Sequence, residues 1–122
     1  MPDKILIVDD NEKNRKLLSI ILEKTGYEII EAENGEEAVV MAKEHIPALV
    51  LMDIQLPVMD GIQALKAIQA DEKIRNIPVL AVTSYAMKGD RERLIGEGFA
   101  DYVPKPINKD DLLRAIKTTL ER

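Results

Sequence analysis

Apolar and polar residues follow two different patterns along this chain. Five short runs are rich in apolar residues, and the unbroken run at 48–52, which a turn follows, is typical of a strand buried on both faces of a sheet. The longer segments between them repeat apolar residues at helical spacing. The predicted strands are residues 4–8, 27–32, 48–52, 78–82 and 101–103, and the predicted helices are residues 11–25, 35–44, 62–73, 87–96 and 108–122.

Capping residues and glycines punctuate the helical segments. Asn34 and Asn108 are expected N-caps, each with an acid three residues later in capping-box spacing. Gly26 should end the first helix, and the glycines at 96 and 98 should end the fourth. The residues expected to face the core are Leu17, Leu18, Ile21 and Leu22 in the first helix and Leu112, Leu113, Ile116 and Leu120 in the last.

Strands that alternate with helices imply parallel pairing and right-handed crossovers. We therefore expect residues 1–122 to form one α/β domain with a three-layer, doubly wound, flavodoxin-like sheet of order 2-1-3-4-5. The winding reverses between the first and third strands, so the carboxyl ends of those strands should border a binding crevice.

Composition excludes several classes of function. The chain of 122 residues has no cysteine, which rules out disulfides and thiolate metal sites. No apolar run is long enough to span a membrane or to serve as a signal peptide, so the cytoplasm is the expected location. The net charge of -5 argues weakly against direct binding of nucleic acid.

Three acids lie where the two strands beside the crevice end. Asp9 and Asp10 follow the first strand, and Asp53 is expected to be the first residue after the third. Two unit charges about 4 Å apart repel by roughly 4 kcal/mol at an effective dielectric constant near 20. Such a cluster either shares a proton or binds a hard cation. With only oxygen ligands nearby, Mg²⁺ is the expected ion.

The next two strands end on residues suited to a phosphoryl group. Thr83 offers a hydroxyl after the fourth strand, and Lys105 offers a positive charge after the fifth. Each residue alone has an ordinary explanation as a cap or a solvated charge. The whole set, at successive strand ends, favours phosphoryl chemistry with Mg²⁺.

These residues together resemble the receiver domain of two-component response regulators. The resemblance covers essentially the whole chain, and the stretch 81–90 is most like single-domain regulators of the DivK type or receivers of hybrid histidine kinases. The matching segments are Asp9-Asp10, Met52-Asp53, the Leu56 to Gly61 loop, Thr83 and Lys105-Pro106.

The resemblance implies a role for each residue of the site. Asp53 matches the phosphoacceptor that takes a phosphoryl group from a histidine kinase or a histidine phosphotransfer protein. Asp10 and Asp53 match direct Mg²⁺ ligands, Asp9 a ligand through water, and the main-chain carbonyl of Gln55 a further ligand. Thr83 and Lys105 match the groups that bind phosphoryl oxygens.

The resemblance also implies a signalling domain that assists its own phosphorylation and dephosphorylation, not an enzyme with a separate substrate. It should act on a downstream protein target, and Met1 and the C-terminus favour a free-standing receiver. Tyr102 matches the aromatic that turns inward when Thr83 moves, although a tyrosine half-covering the sheet edge is the commoner case. A cis bond is implied between Lys105 and Pro106.

Three surface features remain to be assigned. Ile20 lies off the predicted stripe of the first helix, and with Arg15 it is either part of a surface for the phosphodonor or a stray exposed residue. Gln55 and Tyr85 are expected to border the path of the water that hydrolyses the acyl phosphate, the alternative being that Tyr85 folds onto the neighbouring helix. His45, at the end of the second helix, should lie at the surface far from the crevice.

Two other classes share part of this pattern. A phosphatase of the haloacid dehalogenase type also uses a strand-end Asp with Mg²⁺, but it needs a second Asp where this chain has Gln55. A flavodoxin shares the topology, but it needs a Ser/Thr/Gly-rich phosphate loop after the first strand. The acids Asp9 and Asp10 would repel a phosphate at that position.

Overall fold

The computed structural model describes residues 3–56, 59–84 and 89–121, with Asp90 in its backbone only. Strands and helices alternate along the chain, as the apolar pattern predicts. The elements in chain order are β1 (Lys4–Val8), α1 (Glu12–Glu23), β2 (Glu28–Ala32), α2 (Gly35–His45), β3 (Leu49–Asp53), α3 (Gly61–Gln69), β4 (Val79–Thr83), α4 (Asp90–Glu97), β5 (Asp101–Pro104) and α5 (Lys109–Leu120).

The five strands form one parallel sheet in the order β2-β1-β3-β4-β5, which confirms the predicted topology. Val8 at the end of β1 pairs with Met52, and Asp53 at the end of β3 pairs with Val82. The predictions that Asp53 and Thr83 come directly after their strands are therefore each wrong by one position. The adjacent strand ends bring the predicted site residues together at the carboxyl end of the sheet.

Alternate residues of the central strands pack into two apolar layers, one on each face of the sheet. In β1, for example, Ile5 and Ile7 face the layer with α1 and α5, while Leu6 and Val8 face the layer with α2, α3 and α4. Burial on both faces explains why these strands are continuous apolar runs.

Side-chain caps begin four of the helices. Asn34 and Asn108 accept hydrogen bonds from the N–H groups of Glu37 and Asp111, which confirms the predicted caps. Asp60 forms a full capping box with Gln63 and begins α3. The remaining cap, Asn11, precedes α1.

Some helix boundaries differ from those expected. α3 ends at Gln69, four residues early, because the chain turns at 70–77 before β4. Gly96 lies inside α4, and Gly98 alone ends it, with a left-handed φ of 119°. The expected start of that helix at Met87 falls outside the described residues.

The inward faces of the outer helices were predicted with one error. Leu18, Ile21 and Leu22 are buried under α1, but Leu17 is largely exposed, since the inward face centres on residues 15, 18 and 22. In α5 the core is reached by Leu112 and Ile116, with Leu113 and Leu120 packed at its margin.

No helix in the described part of the chain is long and apolar enough to cross a membrane. His45, the last residue of α2, is half-buried, and its Nδ1 lies 3.0 Å from the Lys4 Nζ atom. Lys4 begins β1, so His45 lies at the amino end of the sheet, opposite to the acidic residues.

Candidate functional site

The ends of β1 and β3 bring the three predicted acids together. Asp9, Asp10 and Asp53 each offer one carboxylate oxygen, and these oxygens lie within 4.8 Å of one another. Asp53 and Asp9 are only 3% and 1% exposed, whereas Asp10 faces solvent. Buried carboxylates this close repel strongly unless a cation compensates them.

Lys105 supplies part of that compensation. Its Nζ atom donates a hydrogen bond of 3.0 Å to the Asp53 Oδ2 atom and lies 3.6 Å from the Asp9 Oδ2 atom. The Lys105–Pro106 peptide bond is cis, as the resemblance implied. One ammonium against three carboxylates leaves a net negative site.

Thr83 is buried at the end of β4, and its main-chain carbonyl accepts a hydrogen bond of 2.7 Å from the Lys105 N–H. The threonine and the lysine are thus tied together by their backbones at neighbouring strand ends. Gln55 follows β3, and its N–H donates 2.9 Å to the Asp53 Oδ1 atom. Tyr85, the other residue expected beside the water path, lies outside the described residues.

The donor set fits a hard divalent cation. The Asp9 Oδ2 atom is buried and accepts no hydrogen bond among the described residues, although it lies in the field of Lys105. A buried acceptor without a donor is costly, and a cation ligated directly or through water would satisfy it. Oxygen ligands alone, with a net negative charge, are typical of a Mg²⁺ site.

Tyr102 lies in the edge strand β5, opposite Ala81 in the register. Its side chain is half-buried against the apolar layer that contains α2, α3 and α4. This is the position in which a tyrosine half-covers the sheet edge.

Arg15 does not lie at the surface, where the sequence predicted it. It was expected on the surface beside Ile20, but it is only 8% exposed. Its Nη1 atom donates 2.8 Å to the main-chain carbonyl of Asp9, and its Nε atom donates 3.1 Å to Glu31. The signal was present in the spacing, because positions 15, 18 and 22 share one face of α1.

Gly61 brings α3 directly against the end of β3. A Cβ atom at this position would lie 2.7 Å from both the Asp53 carbonyl oxygen and the Ile54 Cα atom. The Gly61 N–H also donates 3.0 Å to the Ile54 carbonyl. The glycine therefore sets the distance between the helix and the strand end that carries Asp53.

A five-stranded parallel sheet with this acidic cluster at the carboxyl ends of its strands is typical of a receiver domain, and comparison with known proteins agrees. The sequence model of the response regulator receiver domain matches residues 5–117. The chain belongs to this family, which is a family of signalling domains in two-component systems.

The relatives of this chain include named response regulators. The polar-differentiation response regulator DivK of Brucella anthropi is 47% identical over 120 residues, which span 98% of both chains. DivK of Brucella ovis is 46% identical over the same length and share.

Solved structures of receivers share the fold closely. The receiver domain of a sensor histidine kinase from Pseudomonas aeruginosa PAO1, with a magnesium ion coordinated in its active-site cleft, has a TM-score of 0.90 and 34% identity, and all of both chains is covered. A structure of the CheX-CheY-BeF3-Mg complex from Borrelia burgdorferi matches with a TM-score of 0.88 and 30% identity over 97% of this chain and 89% of that one.

Proposed function

We propose that this chain is a phospho-accepting receiver, in which Asp53 takes a phosphoryl group from a phosphohistidine donor in a Mg²⁺-dependent reaction. The observation that carries the proposal is the gathering of the carboxylates of Asp9, Asp10 and Asp53 with the Lys105 ammonium at the carboxyl end of the sheet. The family and the magnesium-bound receiver from Pseudomonas aeruginosa support it.

In the proposed reaction, a carboxylate oxygen of Asp53 attacks the phosphorus atom, and the bond from phosphorus to the donor imidazole nitrogen breaks. The imidazole leaves and takes up a proton, while Asp53 becomes an acyl phosphate. Asp10, Asp53 and the Gln55 carbonyl would hold Mg²⁺, with Asp9 acting through water. Bound Mg²⁺ would neutralise charge on the phosphoryl oxygens.

Thr83 and Lys105 would bind the other phosphoryl oxygens. Lys105 already contacts the Asp53 carboxylate, so a phosphoryl group placed there would meet the ammonium without a large movement. Such fixed charge stabilises the transferred group in its transition state. Thr83 and Tyr102 would carry the change to a downstream protein target. Tyr102 is half-buried against the apolar layer that contains α2, α3 and α4.

Labelling by a small phosphodonor tests this function without a partner protein. With Mg²⁺ and acetyl phosphate, we expect intact-mass spectrometry to show the addition of one phosphoryl group. The same sample in EDTA should remain unlabelled. A phosphoryl group on a residue other than Asp53, or labelling that is equal in EDTA, would contradict the proposal.

A surface beside the site is suited to the phosphodonor protein. A cavity of about 400 Å³ is lined by Asp9 and Lys105 of the acidic site and by Leu17 of α1. Ile20, one turn further along α1, is 56% exposed. A partner seated on these apolar side chains would hold a phosphohistidine next to the acidic cluster, so we assign this surface to a histidine kinase or phosphotransfer protein.

Substitution of Ile20 by Lys tests that surface. Ile20→Lys should slow phosphoryl transfer from a kinase or phosphotransfer protein that labels the wild type, by roughly tenfold, because a charge enters an apolar contact. Labelling by acetyl phosphate should not change. Val40→Lys is the matched control, since Val40 is 52% exposed on α2, which packs on the other face of the sheet. Equal transfer rates for the wild type and Ile20→Lys would refute the assignment.

A further inference from the structure

Arg15 forms a buried junction between α1, the end of β1 and the end of β2. Its guanidinium donates to the Asp9 carbonyl and to Glu31, and its Nη2 atom lies 3.6 Å from Glu33. The two glutamates themselves are substantially exposed. An arginine at this depth is uncommon unless its planar fork satisfies several acceptors at once.

The contact with Asp9 fixes the peptide group that joins Asp9 to Asp10. The Asp9 N–H donates 3.2 Å to the Ala32 carbonyl, and the Asp9 side chain accepts 2.8 Å from the Asn11 N–H. The Arg15 bond to the Asp9 carbonyl is therefore the third hydrogen bond on this residue, beside the ion pair with Lys105. The same carbonyl belongs to the peptide group that joins Asp9 to Asp10. The orientation of that peptide group therefore determines the backbone position from which the Asp10 side chain extends.

Asp10 depends on this restraint more than the other acids do. It is exposed, whereas Asp53 is held by both Gln55 and Lys105. A ligand on an unrestrained backbone must be ordered when the cation binds, and that ordering lowers affinity. Groups behind the ligands commonly supply such order in metal sites.

The geometry points to Arg15 as a positioning residue for Mg²⁺, which acts by holding the Asp9–Asp10 peptide in the orientation that the cation requires. This inference rests on the proposed function of the acidic site. Arg15 itself does not contact the reacting atoms.

If Arg15 acted only through its charge, its removal would strengthen Mg²⁺ binding. If Arg15 acts by positioning the peptide, its removal weakens Mg²⁺ binding, so the two roles predict opposite changes in affinity. Arg15 is a positive charge near a cation site, and its removal would leave Glu31 and Glu33 without their partner. Both changes make the surroundings more negative, which would strengthen Mg²⁺ binding. A weaker affinity after removal of Arg15 can therefore not come from its charge.

Isothermal titration of the folded protein with Mg²⁺ measures this effect. Arg15→Met should weaken the affinity by about tenfold, at the low end of the range for groups behind metal ligands. Arg15→Lys keeps the charge but loses the fork, so it should also bind Mg²⁺ more weakly than the wild type. Saturating Mg²⁺ should restore the acetyl phosphate labelling rate, which a general loss of structure would not permit.

Arg114→Met is the matched control, because Arg114 lies exposed on α5 and pairs only with Asp111 among the described residues. It should bind Mg²⁺ as the wild type does. Unchanged or tighter binding by Arg15→Met overturns the inference. If Arg15→Met does not fold, Arg15→Lys decides it, and an unchanged affinity for that variant overturns it equally.

Asp10→Asn separates this inference from the proposed function. If the wild type and Asp10→Asn bind Mg²⁺ equally, or neither binds it, the proposed site is wrong and the role of Arg15 falls with it. If Asp10→Asn loses binding while both Arg15 variants retain it, the site stands and only the role of Arg15 is wrong.

Discussion

Replacement of Asp53 with Asn should abolish labelling by acetyl phosphate, because the amide oxygen is a far weaker nucleophile than the carboxylate. The fold should persist, since an Asn oxygen can still accept the hydrogen bond from the Gln55 N–H. The measurement is intact-mass spectrometry of the purified variant with Mg²⁺ present. Labelling of Asp53→Asn at the wild-type rate would show that another residue accepts the phosphoryl group.

The same variant should melt at or slightly above the wild type in the absence of Mg²⁺. At an effective dielectric constant of 20, loss of the Asp53 charge relieves two repulsions of about 3.5 kcal/mol each at the 4.8 Å limit. It also loses one attraction to Lys105 of about 5.5 kcal/mol at 3.0 Å. Solvent screens the repulsion from the exposed Asp10, so the gain and the loss nearly cancel, and Lys105 keeps Asp9 as its partner.

Added Mg²⁺ should reverse that order of melting temperatures. A cation that binds only the folded state raises the melting temperature, and the variant has lost one carboxylate ligand. The wild type should therefore gain more from Mg²⁺ than Asp53→Asn does. Equal gains in the two proteins would place the cation away from Asp53.

Replacement of Gly61 with Ala should destabilise the protein by about 1–3 kcal/mol, the usual cost of an overpacked core. The added Cβ would meet two backbone atoms at 2.7 Å, so no side-chain rotation can relieve the contact. α3 must then move away from the end of β3 and displace Asp53. We therefore expect slower labelling together with a lower urea midpoint.

Gly96→Ala is the control for that substitution. Gly96 also lies within a helix, but a Cβ there would meet nothing within 4 Å. Ala should stabilise α4 by about 0.5–1 kcal/mol, because it loses less backbone entropy on folding than Gly. The same chemical change should thus have opposite signs at the two sites. A Gly61→Ala variant as stable as Gly96→Ala would show that the strand end yields without cost.

The sequence by itself determined the strand topology and which residues lie together at the carboxyl end of the sheet. Strands buried on both faces must be apolar throughout, so their ends are visible as the first polar residues after each run. That rule located Asp9, Asp10, Thr83 and Lys105 at the carboxyl ends of their strands. The reversal of winding between the first and third strands then indicated which strand ends border the crevice. The Asn caps were equally legible, because they act over three residues.

Only the tertiary structure decided the features that depend on contacts between distant segments. The burial of Arg15 depends on Glu31 and on the Asp9 carbonyl, and the need for Gly61 depends on how closely α3 approaches β3. Leu17 is apolar yet exposed because the face of α1 that packs on the sheet carries residues 15, 18 and 22. Local pattern states which residues prefer burial, but the packing of whole elements determines which of them obtain it.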